Sequence, residues 1–333
     1  MKHGAGIYKV AQKLKCSPEQ IIDFSSNINL YQPEFTLQLN AKELARYGES
    51  NYSDLKKVIA KKYQIKKSQM TLYNGATSAI FELLKSLKSK EVYLYAPLYG
   101  EYEKASRVSG KKVHILSRLY DLATEPKKGS IVVFVNPTTP DGKYYNLERL
   151  FALWRAQKCT VIIDESFLEF ESNISLINQI NRYKKLYFIK SFTKFYACAG
   201  VRVGAIFSQK NNIKKLHTPL WNLSTFDVAF LTQRLQDKKF IKKSIKLHKK
   251  QKKELQKILK KSKLFDYIIP SDSNFILVHS KDGFKIYKHL LNYKILVRTA
   301  GSFDFLSKDC LRFAVKDRVA QKLLKKALNL FTN

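Results

Sequence analysis

From about residue 50 to residue 207 the chain repeats one pattern, in which short apolar runs alternate with stretches of helical spacing. The runs are 92–96, 113–116, 131–135, 161–164, 186–190 and 203–207, and within them apolar residues follow one another rather than alternating with polar ones. A strand built from such a run buries both of its faces, which is the habit of a parallel sheet with helices on either side. Helical patterns at 54–63, 79–87, 100–108 and 147–157 supply those covering layers. The predicted fold is therefore α/β with a largely parallel sheet. Beyond about residue 212 the character changes to long helical segments, strands at 274–279, near 295–298 and at 311–315, and a terminal helix, which predicts a smaller α+β domain. The expected division is an N-terminal segment over 1–30 that packs with the small domain, a large domain over 31–211 and a small C-terminal domain over 212–333.

Open α/β sheets bind ligands beyond the carboxyl ends of their strands, so chemistry is sought there. Just past the run ending at Lys190 comes Ser191-Phe192-Thr193-Lys194, closed by Ala197, Ala199, Gly200 and Gly204. A lysine held in such a cleft can be desolvated, lose its proton and attack a carbonyl to form a Schiff base. Ser191 three residues before it and Arg202 eight after suit a phosphate on whatever the lysine holds. The physical reading is a pyridoxal-phosphate (PLP) site; the alternative is a solvated loop lysine, of which a chain with net charge +34 has many. Asp164 ends the run 161–164, where a carboxylate can keep a proton on a pyridine nitrogen. Gly75-Ala76-Thr77 offers free amides at a helix start and a hydroxyl, a phosphate cradle. Tyr99 can stack on an aromatic cofactor, and Arg298 and Arg312, in the small-domain strands, can grip carboxylate or phosphate in forked geometry. Each also has a plainer reading: Asp164 as a helix cap, Gly75 as a turn, Tyr99 as core, the arginines as surface charge.

Charge is the unusual bulk property, with 61 Lys+Arg against 27 Asp+Glu. The densest stretch, 238–263, carries Ile241, Ile245, Leu255, Ile258 and Leu259 near helical spacing and reads as an amphipathic helix with a solvated lysine face. It lacks the interleaved aromatic residues of a base-stacking platform, so nucleic acid is not the expected partner. Cys16, Cys159, Cys198 and Cys310 are isolated and the six histidines lack metal-ligand spacing, so neither a disulfide scaffold nor a metal site is expected. With no membrane-length apolar run and no signal-peptide pattern, the expected location is the cytoplasm.

Four passages carry a family resemblance: His3-Gly4; Ser17-Pro18-Glu19-Gln20-Ile21-Ile22-Asp23-Phe24-Ser25-Ser26-Asn27-Ile28-Asn29; Asp164-Glu165-Ser166-Phe167; and Ser191-Phe192-Thr193-Lys194-Phe195-Tyr196. Through them the chain resembles, over nearly its full length, the fold-type I PLP enzymes of the aminotransferase class I/II superfamily. Within it, the chain is most similar to the threonine-phosphate decarboxylases of cobalamin biosynthesis, with histidinol-phosphate aminotransferases as close relatives. The resemblance implies a mostly parallel seven-stranded sheet between helices and a smaller α+β domain. It implies Lys194 as the residue that bonds to PLP, Asp164 at the pyridine nitrogen, Tyr99 stacked on the ring, and Gly75, Ala76, Thr77, Ser191 and Arg202 around the cofactor phosphate. Tyr47 would reach that phosphate from the other subunit of a homodimer with shared active sites. His3 and Arg298 would contact the substrate's phosphate, Arg312 its α-carboxylate, and Asn29 the substrate pocket.

The chain departs from the family pattern where Asn-Pro-Thr-Gly is usual and Thr139-Pro140-Asp141-Gly142 stands instead. Thr139, a shorter donor, thus takes the place of the asparagine that bonds the cofactor's phenolic oxygen, and Phe167 stands where the aminotransferase branch tends to have tyrosine. The implied reaction is decarboxylation of L-threonine O-3-phosphate or L-serine O-phosphate, giving 1-amino-2-propanol phosphate or ethanolamine phosphate. Its rivals are transamination of a phosphorylated amine such as histidinol phosphate and, in a different class, a basic binding protein without catalysis.

Overall fold

The computed structural model describes residues 6–37, 41–171 and 174–332. A seven-stranded sheet runs in the order Met70–Asn74, Val203–Phe207, Leu186–Ser191, Thr160–Asp164, Ile131–Val135, Glu91–Ala96, Lys112–Ser117. All neighbours pair in parallel except at Val203–Phe207, which is antiparallel to both strands beside it. Its reversal has a local cause. Residues 192–202 form too short a link for a crossover helix, so the chain returns beside the strand it left, and Lys194 lies in that link.

The apolar runs behave as two-faced strands. Val132, Phe134, Val161 and Ile163 point into one hydrophobic core, while Ile131, Val133, Val135 and Ile162 point into the other. Helices Ser53–Tyr63 and Glu148–Ala156 contribute to the first core through Leu55, Ile59, Phe151 and Trp154; Gly75–Ser86 and Glu101–Val108 contribute to the second through Ile80, Leu83, Tyr102 and Ala105. The strand Met70–Asn74 is absent from the runs read in the sequence. It is an edge strand paired on one side only, and Thr71 and Asn74 interrupt its apolar character.

The small domain is a four-stranded antiparallel sheet in the order Arg298–Thr299, Cys310–Ala314, Phe275–His279, Tyr267–Ile268. Helices Lys238–Ser262, Gly283–Asn292 and Arg318–Asn329 close a core around Leu255, Ile276, Ile286, Phe313 and Leu324. The basic stretch is thus one 25-residue helix whose inner face includes Phe240, Leu255, Ile258 and Leu259. Near the chain's start, Ile22–Asp23 pairs in parallel with Ile295–Leu296. Packing does not change sides at residue 212, however. Leu223, Leu231, Leu235 and Phe240 lie in the large core with Tyr52 and Leu55, because helix Thr225–Gln236 buries its apolar side against the large domain. No helix among the described residues is long and apolar enough to cross a membrane.

Candidate active site

Strand order reverses between Glu91–Ala96 and Ile131–Val135, the first continuing outward to Lys112–Ser117 and the second inward to Thr160–Asp164. Loops leaving two such strands diverge and open a crevice at their carboxyl ends. A cavity of about 290 Å³ lies there, closed on its far side by the small domain. That volume is at the small end of the range for small-molecule sites. It brings together Ala76, Thr77, Tyr99, Thr139, Asp164 and Ser191 from the large domain. Lys194 and Arg202 join them from the link after Ser191, and Arg298 and Arg312 from the small-domain sheet. The last two are direct cross-strand partners in the antiparallel register, which is why both reach one place.

Lys194 is held from below. Phe192, Phe195 and Tyr196 are buried in the large core, anchoring the turn on both sides of the lysine. Burial, then the positive charges of Arg312 and Arg202, push its amine down to about 8, against the pull of Asp164. A substantial fraction of neutral amine, the form able to bond a carbonyl, is therefore present near pH 8.

Asp164 ends its strand almost fully buried. Its Oδ1 accepts from Ser166 N at 2.9 Å and Ser166 Oγ at 2.5 Å, and its Oδ2 accepts from Tyr102 Oη at 2.7 Å. Burial raises its pKa above the usual carboxylate value, and these donors work against that rise. A carboxylate has about four acceptor positions, so three donors leave room on Oδ2 for a ring N–H.

The turn into helix Gly75–Ser86 meets the requirements of an anion cradle. Gly75 has φ +78°, and a Cβ there would come within 2.5 Å of Arg202 Nη2. Gly75 N also donates to Arg202 O at 3.0 Å, so the guanidinium lies against the turn. Under the turn, a Cβ on Gly204 would stand 2.3 Å from Ala76 N. Hydrogen is the only side chain that lets the strand support the helix start so closely. Thr77 Oγ1 and Tyr99 Oη are 3.3 Å apart, and Ser191 Oγ and Thr193 Oγ1 are 2.9 Å apart.

Arg312 is buried, donates Nη1 to Thr139 Oγ1 at 3.2 Å and Nη2 to Ser25 O at 3.0 Å, and lies over the Phe275 ring. Its buried Nε has no hydrogen-bond partner among the described residues, an unspent donor suited to an anion. Burial first, then Arg298, lower its pKa to about 9. Arg298 Nη2 donates to Ser302 Oγ at 2.8 Å, and Ser302 and Phe303 line the same cavity.

One residue expected at the site is elsewhere in this chain. Asn29 does not line the cavity, because its side chain is spent on backbone: Nδ2 donates to Phe195 O at 2.7 Å and Oδ1 accepts from Tyr31 N at 3.0 Å. Its own N–H donates to Lys194 O at 2.9 Å, so Asn29 fastens the lysine loop, and Ser25, Ser26 and Asn27 form the wall instead. Tyr47 is 80% exposed, stacked obliquely on Trp221, and does not line the cavity of its own chain. His3 lies outside the described residues. Sequence reasoning also passed over Tyr102, Ser166, Thr193 and Phe303. Only Ser166, two residues beyond Asp164, carried a local signal, that of an Asx-type turn.

Among the described residues the cavity lining holds Lys194, Arg202, Arg298 and Arg312 against one carboxylate, Asp164. With the glycine cradle, the reactive lysine and the acceptor left on Asp164, these groups fit a phosphorylated pyridine aldehyde. Residues 19–329 match the family model described as aminotransferase class I and II, and the chain belongs to that family. The family is PLP-dependent, and PLP is the cofactor of this chain. The chain is 29% identical to the adenosylcobalamin biosynthesis bifunctional protein CobDQ of Leptospira interrogans serogroup Icterohaemorrhagiae serovar Lai, over 100% of its own length but 41% of that longer protein. It is 27% identical to a putative threonine-phosphate decarboxylase of Caldanaerobacter subterraneus subsp. tengcongensis, over 91% of this chain and 88% of the relative. The crystal structure of the histidinol-phosphate aminotransferase from Clostridium acetobutylicum superposes with a TM-score of 0.80 at 28% identity, over 92% of this chain and 97% of that one. The protein is thus an enzyme of the PLP-dependent aminotransferase and decarboxylase group.

Proposed function

We propose that the chain decarboxylates a short O-phospho amino acid, L-threonine O-3-phosphate or L-serine O-phosphate, releasing an amine phosphate. The observation that carries this reading is the convergence of Arg298 and Arg312 on the cavity that contains Lys194. A substrate with a carboxylate at one end and a phosphate at the other needs two such guanidiniums. When bound, PLP supplies an electron sink for whichever bond at the substrate's Cα stands perpendicular to its ring. Arg312, already oriented by Thr139 and Ser25, forks the α-carboxylate and fixes its direction. Arg298, with Ser302 beside it, takes the phosphate. Asp164 would keep a proton at the cofactor's ring nitrogen, and Gly75, Ala76, Thr77, Ser191 and Arg202 would hold its phosphate. Tyr99 and Thr139 would hold its ring, and Lys194 would carry the cofactor and return a proton to the substrate's Cα. Phe167 and Phe303 limit water and leave room for a short side chain.

Transamination of the histidinol-phosphate type is the second reading, supported by the relative from Clostridium acetobutylicum. Incubating the PLP-loaded protein with phosphothreonine, phosphoserine and histidinol phosphate, with and without 2-oxoglutarate, separates the two. Release of CO2 and an amine phosphate without 2-oxoglutarate is expected; turnover only of histidinol phosphate, and only with the keto acid, overturns the first reading. We also propose a homodimer. Exposed Tyr47 and Trp221 stack on one another outside their own chain's cavity, with exposed Leu44 and Leu220 nearby in sequence, an apolar surface suited to a second copy whose site Tyr47 would complete.

A further inference from the structure

Arg118 and Asp141 form a buried ion pair behind the cavity. Arg118 Nη1 donates to Asp141 Oδ2 at 2.9 Å and Nη2 to Oδ1 at 2.6 Å, a bidentate contact between two almost fully buried side chains. The same guanidinium reaches two carbonyls. Nε and Nη2 donate to Pro97 O at 3.2 and 3.0 Å, and Nη2 donates to Thr139 O at 3.2 Å. Asp141 Oδ1 in turn accepts from Thr138 Oγ1 at 2.8 Å. Pro97 begins the turn that carries Tyr99, and Thr139 presents its hydroxyl to Arg312. These turns leave the two strands whose divergence opens the crevice and whose pairing stops at Leu94 and Val133 among the described residues.

We propose that Arg118, held by Asp141, is a positioning residue that sets the spacing of the two cofactor walls, Tyr99 and Thr139, and through Thr139 the aim of Arg312. The inference rests on the assignment of Tyr99 and Thr139 to those walls. A planar fork can hold a carboxylate and two carbonyls at once, whereas a lysine in its place offers one ammonium point. Asp141, standing where the family pattern has threonine, supplies the countercharge without which Arg118 would be buried alone.

The test compares PLP binding by the full-length apoprotein, the visible circular dichroism of the bound cofactor and the thermal midpoint across variants. R118M alone leaves Asp141 buried without a partner and is expected to lower the midpoint. The double variant R118M/D141T removes both charges and is expected to recover it. In the double variant PLP binding still falls about tenfold or more, and the cofactor's dichroic band changes, because the carbonyls of Pro97 and Thr139 have lost their shared donor. R118K, which keeps the charge but not the fork, is expected to show the same loss and gives the answer should the double variant not fold. PLP affinity within about twofold of wild type and an unchanged band in these variants overturn the inference, since a purely structural pair would recover binding together with stability. Wild-type protein that takes up no PLP overturns the wall assignment itself, a failure distinct from wild-type binding that the variants share.

Discussion

Replacing Tyr102 with phenylalanine removes one hydroxyl from a buried polar contact of the site. Tyr102 Oη donates to Asp164 Oδ2 at 2.7 Å with both groups buried. A hydrogen bond to a charged acceptor contributes about 1.5–3 kcal/mol. Above the folded-state pKa of Asp164, Y102F is therefore expected to lose about 2 kcal/mol of apoprotein stability. The sign with pH follows from which form is stabilised. Asp164 already has a raised pKa because burial penalises its charge, and Tyr102 favours the ionised form. Losing the donor raises that pKa further, so as pH falls through it the carboxyl becomes neutral and the deficit shrinks. Urea unfolding of apo wild type and Y102F over a pH series descending from 8 measures the deficit as Asp164 is protonated, and the double variant Y102F/D164N measures the coupling. The hydrogen bond to Asp164 has no such role if the deficit stays constant down the series until the protein acid-unfolds, or if it persists undiminished with D164N.

Other outcomes follow from the same geometry. Lys194, with its amine lowered to about 8 in the folded chain, destabilises the apoprotein while charged, so K194M is expected to gain up to about 3 kcal/mol at pH 7. Because the unfolded chain binds the extra proton between pH 8 and the ordinary lysine value, that gain fades as pH rises through this window; a gain independent of pH in urea titrations would contradict it. Borohydride reduction of the loaded wild type followed by mass spectrometry is expected to place the pyridoxyl group on residue 194, with no adduct in K194M. G75A must take φ near +78° and displace Arg202, so it should cost about 1 kcal/mol of stability and weaken PLP binding, read by equilibrium dialysis. N29A leaves Phe195 O unpaired and is expected to cost about 1–3 kcal/mol and to lower kcat with KM little changed; a rise in KM alone would mark Asn29 as a substrate ligand instead.

What could be read from residue order was whatever leaves a local trace. Strands buried on both faces demand unbroken apolar runs, so those ending at Asp164 and Lys190 were visible, and so were the groups just past their carboxyl ends. The edge strand Met70–Asn74 left a weaker trace because, among the described residues, one side of it has no strand partner. Gly75 and Lys194 announced themselves by turn chemistry and by the small residues around them. Contacts between distant segments leave no such mark. Asn29 has a pocket-like neighbourhood in sequence, yet its amide is used 166 residues away on Phe195 O. Tyr102 is 62 residues from Asp164, and Arg118 is 23 from Asp141. The convergence of Arg298 and Arg312 depends on antiparallel register, and their approach to Lys194 on how the small domain closes over the large one. Hydrophobic periodicity selects elements because burial acts residue by residue; the pairing of buried polar groups is decided only when packing brings two elements together and leaves each donor one acceptor within reach.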